Sequence, residues 1–314
     1  IGSDLIIRVI AIITVVLLHS THLLIASGGV FMLMTLVGYS LARFQFHTLT
    51  EGRVFQSART MLTPILTAYY LITIPLALHF PIGWRWYALI MNFNLLHHEI
   101  AQPHFFVPYW FVATYAQIVL LLCIPFLIPP LRRAIAQHSL LLGVIGVVAL
   151  CSAIVFTPVS ELFYGAKIRH PLSAMELAML GWCMAHAGTA REKALVSLLM
   201  LASYALVWSD ADIMVSLFLT LVPMAILWRP RLSVPKWLGR GVLSFGSITL
   251  YIYVSHVPVL YFTSHFIGDK YACFAVTFAV SVVLAIVIKT GIGWVTSRLT
   301  GNGPVTNTYS EQYA

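Results

Sequence analysis

The chain is predicted to be an all-α protein, a polytopic membrane bundle of about ten transmembrane helices, and three observations predict it. Hydrophobic side chains make up 60% of the 314 residues and charged ones only 9%. A water-soluble domain carries about 25% charged residues, so this chain has too few to cover a folded surface in water. Apolar runs of about 18–22 residues recur from one end to the other, each long enough to cross a bilayer as a helix. The runs are continuous rather than alternating, and a chain in lipid must satisfy its backbone hydrogen bonds internally. Helices are therefore predicted over a closed barrel.

In chain order the spans are predicted at 5–24, 28–46, 60–79, 109–128, 139–157, 172–189, 194–208, 211–228, 242–262 and 271–292. The first run shows no cleavage-site pattern and carries Arg8, so it reads as a retained helix rather than a signal peptide. Residues 80–108, "FPIGWRWYALIMNFNLLHHEIAQPHFFVP", hold an apolar stretch too short and too interrupted to span. Trp84, Trp86, Tyr87 and Tyr109 suit an interfacial position, so this segment is placed outside. The polar tail, about 299–314, closes the chain. No internal repeat, low-complexity tract or soluble domain is visible, and residues 1–314 read as one integral-membrane domain.

Lys and Arg then set the orientation. With the N-terminus inside, the inner loops hold Arg43, Arg53, Arg59, Arg132, Arg133, Arg191, Lys193, Arg229, Arg231, Lys236, Arg240, Lys289 and Arg298. The outer side holds Arg85, Lys167, Arg169 and Lys270. Thirteen against four, with Arg8 left in the membrane, is a positive-inside bias that puts both termini in the cytoplasm. The net charge of +8 is mostly this bias and gives no reason to expect nucleic acid as a partner.

The chemistry-bearing residues begin with "RVIAIITVVLLH", in which Arg8 and His19 bracket an apolar run. Eleven residues at 100° each come within about 20° of whole turns, so both side chains share a helix face, about 16 Å apart along the axis. An Arg in a span costs about 2.5–3.5 kcal/mol on insertion scales. Snorkelling explains Arg8 alone and an interhelical hydrogen bond explains His19 alone, but a shared face favours one polar channel lined by both. Histidines also crowd the outer half: His19, His22, His79, His97, His98, His104, His170, His256 and His265, against His47, His138 and His186 inside. A neutral imidazole accepts a proton near pH 7, as a general base must. The spacing "HHEIAQPH" matches no zinc-site pattern, and no metal is expected. Cys123, Cys151, Cys183 and Cys273 stand singly and read as packing residues.

These residues resemble membrane acyltransferase family 3, which includes O-acetyltransferases of bacterial surface glycans. The R-x10-H run looks like that family's opening signature, and "GGVFMLMTLVGYSL" is similar to its Gly-bracketed second helix through Gly29 and Gly38. "YWFVATYAQIVLLL" resembles its Trp-Phe helix at Trp110 and Phe111, and "FGSITLYIYVSHVPV" its late segment through Ser247, Tyr251, Tyr253, His256 and Pro258. The likeness runs from about residue 4 to 262. The chain departs from the pattern in three places: Asp4 precedes Arg8 by four residues, Tyr115 stands where many members have a glutamate, and only Arg59 and Arg53 precede Pro64.

The resemblance implies acyl transfer, most often acetyl from acetyl-CoA, to an external hydroxyl of a glycan or related acceptor, in a bacterial inner membrane. Arg8, Arg59 and Arg53 are expected to hold the acyl-CoA phosphates from the cytoplasm. His19 is expected as general base or acyl carrier, with His256 as a second acid/base. Tyr39, Ser247 and Tyr251 are candidate oxyanion donors, and Trp110 and Asn92 candidate acceptor contacts. A proton-coupled transporter, relaying protons through His19, His22 and His256 with Arg8 as substrate clamp, is the alternative.

Overall fold

The computed structural model describes residues 1–23, 28–76, 88–89, 109–156, 171–209, 211 and 213–300. Of these 88% are helical and none forms a strand, so the prediction of helices over a barrel holds for the described residues. Twelve α-helices follow in order among them: α1 (Ser3–Thr21), α2 (Gly29–Ser40), α3 (Phe46–Thr50), α4 (Val54–Leu76), α5 (Trp110–Cys123), α6 (Pro129–Phe156), α7 (Pro171–His186), α8 (Ala190–Val207), α9 (Ile213–Trp228), α10 (Lys236–Gly246), α11 (Thr249–Phe266) and α12 (Lys270–Thr300). Most of the expected outer segment, with Trp84, Trp86 and Asn92, lies outside the described residues.

Every predicted run falls on helix, but the ends differ for physical reasons. A π-helical turn, Leu41–Gln45, carries α2 on into α3, giving one apolar segment from Gly29 to Thr50. The helix α4 begins six residues before its apolar run, because Arg59 is exposed there and does not interrupt it. The expected start at 139 coincides with a break at His138 (φ −130°, ψ 38°) inside α6, whose first turns carry Arg132 and Arg133. The expected span 242–262 is two helices, α10 and α11, bent by 58°. The last helix runs to Thr300, taking in the first residues of the expected tail.

Among the described residues five helical segments are long and apolar enough to cross a membrane: Ser3–Thr21, Gly29–Thr50, Trp110–Leu127, Pro129–Phe156 and Lys270–Trp294. The bent α10–α11 pair meets the same measure only when taken as one. These segments make the protein an integral membrane protein of helical type.

The chain forms two compact units, Ile1–Gly29 with Arg229–Ala314, and Val30–Trp228. In the first, Ser3 N–H donates to the Pro230 carbonyl at 3.1 Å and Leu232 N–H to the Ile1 carbonyl at 2.9 Å, pinning the start of α1 to the segment before α10. Polar ties run along α11 and α12. Lys289 Nζ donates to Ser247 Oγ at 2.7 Å, Ser255 Oγ to the Ser281 carbonyl at 3.3 Å, and Thr263 and Thr277 hydroxyls meet at 2.7 Å. Apolar burial gives helices little reason to associate in lipid, so such ties and close packing carry the association.

The second unit, α2 to α9, uses close backbone approach instead. A Cβ on Gly38 of α2 would strike the Ala178 carbonyl of α7, and one on Gly181 of α7 would strike the Thr35 carbonyl of α2. Only glycine lets the two backbones approach this closely. Beside that crossing, Phe46, Phe126, Trp182 and His186 pack ring to ring, Trp182 against His186 at 5.0 Å. Trp182 Nε1 donates to the Ser139 carbonyl at 3.2 Å.

Candidate functional site

The helix α1 forms because its apolar run has no proline or glycine to interrupt it, and it ends at His22, whose left-handed backbone (φ 56°) returns its N–H to the Leu18 carbonyl. Histidine tolerates that conformation better than most side chains. His19 therefore stands in the last turn of α1, the end of a helix at which positive charge is favourable. Opposite it, α11 carries His256, fully buried. Pro258, two residues on in the same helix, cannot donate to the Val254 carbonyl, so the backbone ladder is interrupted in the turn that holds His256.

The two imidazoles meet. His19 Nδ1 and His256 Nε2 are 2.8 Å apart, and the ring planes differ by 1° with centroids 5.1 Å apart. A short nitrogen contact, parallel planes and a long centroid separation together require edge-to-edge, coplanar rings joined by a straight hydrogen bond. On its other edge His256 Nδ1 lies 2.5 Å from the Tyr253 carbonyl oxygen.

That second contact settles the tautomers. A carbonyl only accepts, so His256 Nδ1 carries the hydrogen and donates. In a neutral ring His256 Nε2 then holds the lone pair, and His19 Nδ1 must donate to it. The basic lone pair of the couple falls on His19 Nε2. Proton uptake there can be followed by transfer of the Nδ1 hydrogen to His256 Nε2, which moves the positive charge from His19 to His256, whose far N–H faces the Tyr253 carbonyl.

Arg8 lies on α1 at the expected offset, and both it and His19 are half-buried. Between them that face holds Ala11, Ile12, Val15 and Val16, each at most 3% exposed, so it is filled over this length. Ser247, at the α10–α11 corner, donates to the Ser244 carbonyl at 2.6 Å and accepts from Lys289, so its hydroxyl ties helices together. Tyr251 is half-buried on α11, five residues from His256 and so about 140° around the helix from it.

The other expected residues belong to the Val30–Trp228 unit. Tyr39 is buried and its hydroxyl accepts from Arg43. Arg53 is exposed, donating through Nε to Glu51 at 2.9 Å and through a guanidinium nitrogen to Gln56 at 3.1 Å. The Arg53 hydrogen bond holds the Glu51 carboxyl below its ordinary value. Arg59 is exposed on α4. Trp110 opens α5, half-buried and edge-on to Phe111 at 6.3 Å. Tyr115 donates to the Met61 carbonyl at 3.3 Å.

Two features were not singled out from the sequence. One is the role of the Tyr253 carbonyl, legible only in the i, i+3 spacing to His256. The other is Glu176, fully buried in α7, which accepts from the Ser203 hydroxyl and, at 3.2 Å, from Trp208 Nε1. Its signal in sequence was a single acid inside a predicted span. Among the described residues no three of His, Cys, Asp and Glu converge as ligands to one metal ion. Compared with protein-family models, curated proteins and solved structures, the chain finds no match.

Proposed function

We propose that the protein is a membrane-bound O-acyltransferase, moving an acetyl group from cytoplasmic acetyl-CoA to a hydroxyl of a glycan or glycoconjugate outside. In this reading ten helices span a bacterial inner membrane and both termini are cytoplasmic. One observation carries it: the coplanar His19–His256 couple, with its outer N–H on the Tyr253 carbonyl and its lone pair on His19 Nε2.

In the proposed reaction His19 Nε2 takes the proton of the acceptor hydroxyl as its oxygen attacks the thioester carbonyl. The Nδ1 hydrogen of His19 passes to His256 Nε2, which leaves His19 neutral and carries the positive charge to the ring whose Nδ1–H donates to the Tyr253 carbonyl. As the carbon–sulfur bond breaks, the hydrogen returns to His19 Nδ1 and the Nε2 proton goes to the departing thiolate. Acyl ester and free thiol are the products, and both histidines end as they began. Arg8 binds donor phosphate through its planar guanidinium. Because the face between Arg8 and His19 is filled by Ala11, Ile12 and Val15, the donor's arm skirts or displaces that stripe.

The test is thiol release from acetyl-CoA by the purified protein in proteoliposomes, with mass spectrometry of envelope glycans from cells with and without it. Acetyl-CoA turnover lost in His19→Ala, and acetyl groups missing from the glycan when the protein is absent, support the reading. Proton flux coupled to a solute, without acetyl-CoA turnover, assigns the couple to transport instead.

A further inference from the structure

The segment from Arg229 to Gly246 has no part in that chemistry, yet its composition is distinctive. Arg229, Arg231, Lys236 and Arg240 fall within twelve residues, and no acidic residue occurs from 213 to 268. All four cations are exposed, and the segment is held in place by the backbone bonds from Ser3 and Leu232 already described.

The helix α10 sorts these residues by face. At 100° per residue, Lys236, Arg240 and Ser244 share one side, and Leu238, Val242 and Phe245 the opposite one. Phe245 packs on Phe278 of α12 with centroids 5.8 Å apart, and the corner below it is closed by Gly246 against Leu5. The N-terminal half is not covered in this way: Trp237 is 74% exposed beside the basic stripe and Leu238 39% exposed. No residue of α10 is buried. Its axis departs by 58° from α11, so it does not continue along that helix's direction.

We propose that α10 lies on the bilayer surface and docks an anionic phospholipid headgroup between Lys236 and Arg240, with Trp237 and Leu238 seated among the upper acyl chains. A basic, amphipathic helix with an exposed Trp at its margin is the composition that sits in the interfacial plane. Juxtamembrane cations are drawn to negative lipid over zwitterionic lipid. The bilayer is the occupant because the same protein carries helices apolar enough to cross it, which hold α10 within reach of its headgroups.

The test uses the full chain reconstituted in phosphatidylcholine vesicles with and without phosphatidylglycerol, one or the other lipid carrying brominated chains as quencher. The contribution of Trp237 is the difference between the wild-type protein and Trp237→Phe. Brominated phosphatidylglycerol is expected to quench it more than brominated phosphatidylcholine at equal mole fraction, with the preference falling at high salt. Removing one cation, Lys236→Gln or Arg240→Gln, lowers the preference about fivefold. Equal quenching by the two lipids, or no quenching of Trp237, overturns the proposal. Loss of the preference on adding CoA also overturns it, since the cations would then serve a soluble phosphate.

Discussion

The two units each bury a titratable group in an apolar interior, and they treat it differently. In Val30–Trp228, Glu176 is closed: Ser203 and Trp208, from α8 and the residue that caps it, donate to its two oxygens. In the Ile1–Gly29 and Arg229–Ala314 unit the polar chain is directional. The Tyr253 carbonyl orients His256, His256 orients His19, and the polarity is delivered to one atom of a half-buried side chain. A buried polar group whose partners use its capacity up acts as a clasp between helices. One whose partners fix a tautomer has its basic nitrogen decided by them.

The strongest way to break this contrast is to exchange the fates of the two groups. His256→Ala, which leaves His19 without its partner, is expected to lower acetyl transfer by about 10²–10⁴-fold, while Glu176→Gln leaves turnover within a fewfold of wild type. Paired initial-rate measurements in the same proteoliposomes check both. An unchanged rate in His256→Ala reduces the couple to a structural tie.

The next effect concerns how each unit is packed. Gly38→Ala places a methyl group against the Ala178 carbonyl, and overpacking of this kind costs about 1–3 kcal/mol. Gly241, on exposed α10, has nothing within 4 Å of its missing Cβ. There the same change is expected to stabilise by about 0.5–1 kcal/mol. Thermal unfolding in detergent measures both, and equal shifts of one sign would erase the distinction.

A smaller loss follows from opening the clasp itself. Glu176→Ala leaves the Ser203 and Trp208 donors without their acceptor and is expected to cost about 1 kcal/mol, two ties at about 0.6 kcal/mol each. Glu176→Gln keeps an acceptor oxygen and loses less. Denaturation of the two variants side by side gives the order.

The least effect lies ahead of the predicted span of α8, where Thr189 and Glu192 form a capping box. Thr189 N–H donates to the Glu192 carboxylate at 2.8 Å and Gly188 N–H at 2.9 Å. Chiefly the Thr189 backbone N–H, then its hydroxyl, lower this carboxyl from its ordinary 4.5. The folded value is the depressed one, so the contribution is complete above 4.5 and disappears as pH falls through the lower folded value. Stability of wild type minus Glu192→Gln should shrink across that acid window, and a difference that does not change with pH removes the cap's electrostatic role.

Much of the architecture was legible because hydrophobic runs are local. The run from 270 onward is apolar whatever it packs against, and so it emerged as helix. What escaped depended on context. The α10–α11 bend at Ser247 lies within one predicted span because the apolar residues from Val242 onward hide the corner. The helix α4 extends toward Arg53 beyond its predicted end because charge, not backbone, marks the end of an apolar run. At the site, the shared face of Arg8 and His19 follows from helical periodicity alone, but the filled stripe of Ala11, Ile12 and Val15 between them does not. Whether an apolar residue lines a passage or plugs it is decided by its neighbours.

Taken by itself, the amino-acid order determined that this chain is helical, that it belongs in lipid, and that a few polar side chains stand in apolar runs. Those properties come from short-range spacing and from the cost of leaving backbone groups unpaired in hydrocarbon. Only the tertiary structure decided which polar groups meet. His19 and His256 are 237 positions apart, and a hydrogen bond needs its atoms within about 3 Å and in line. Helix packing sets that alignment, and no local pattern encodes it.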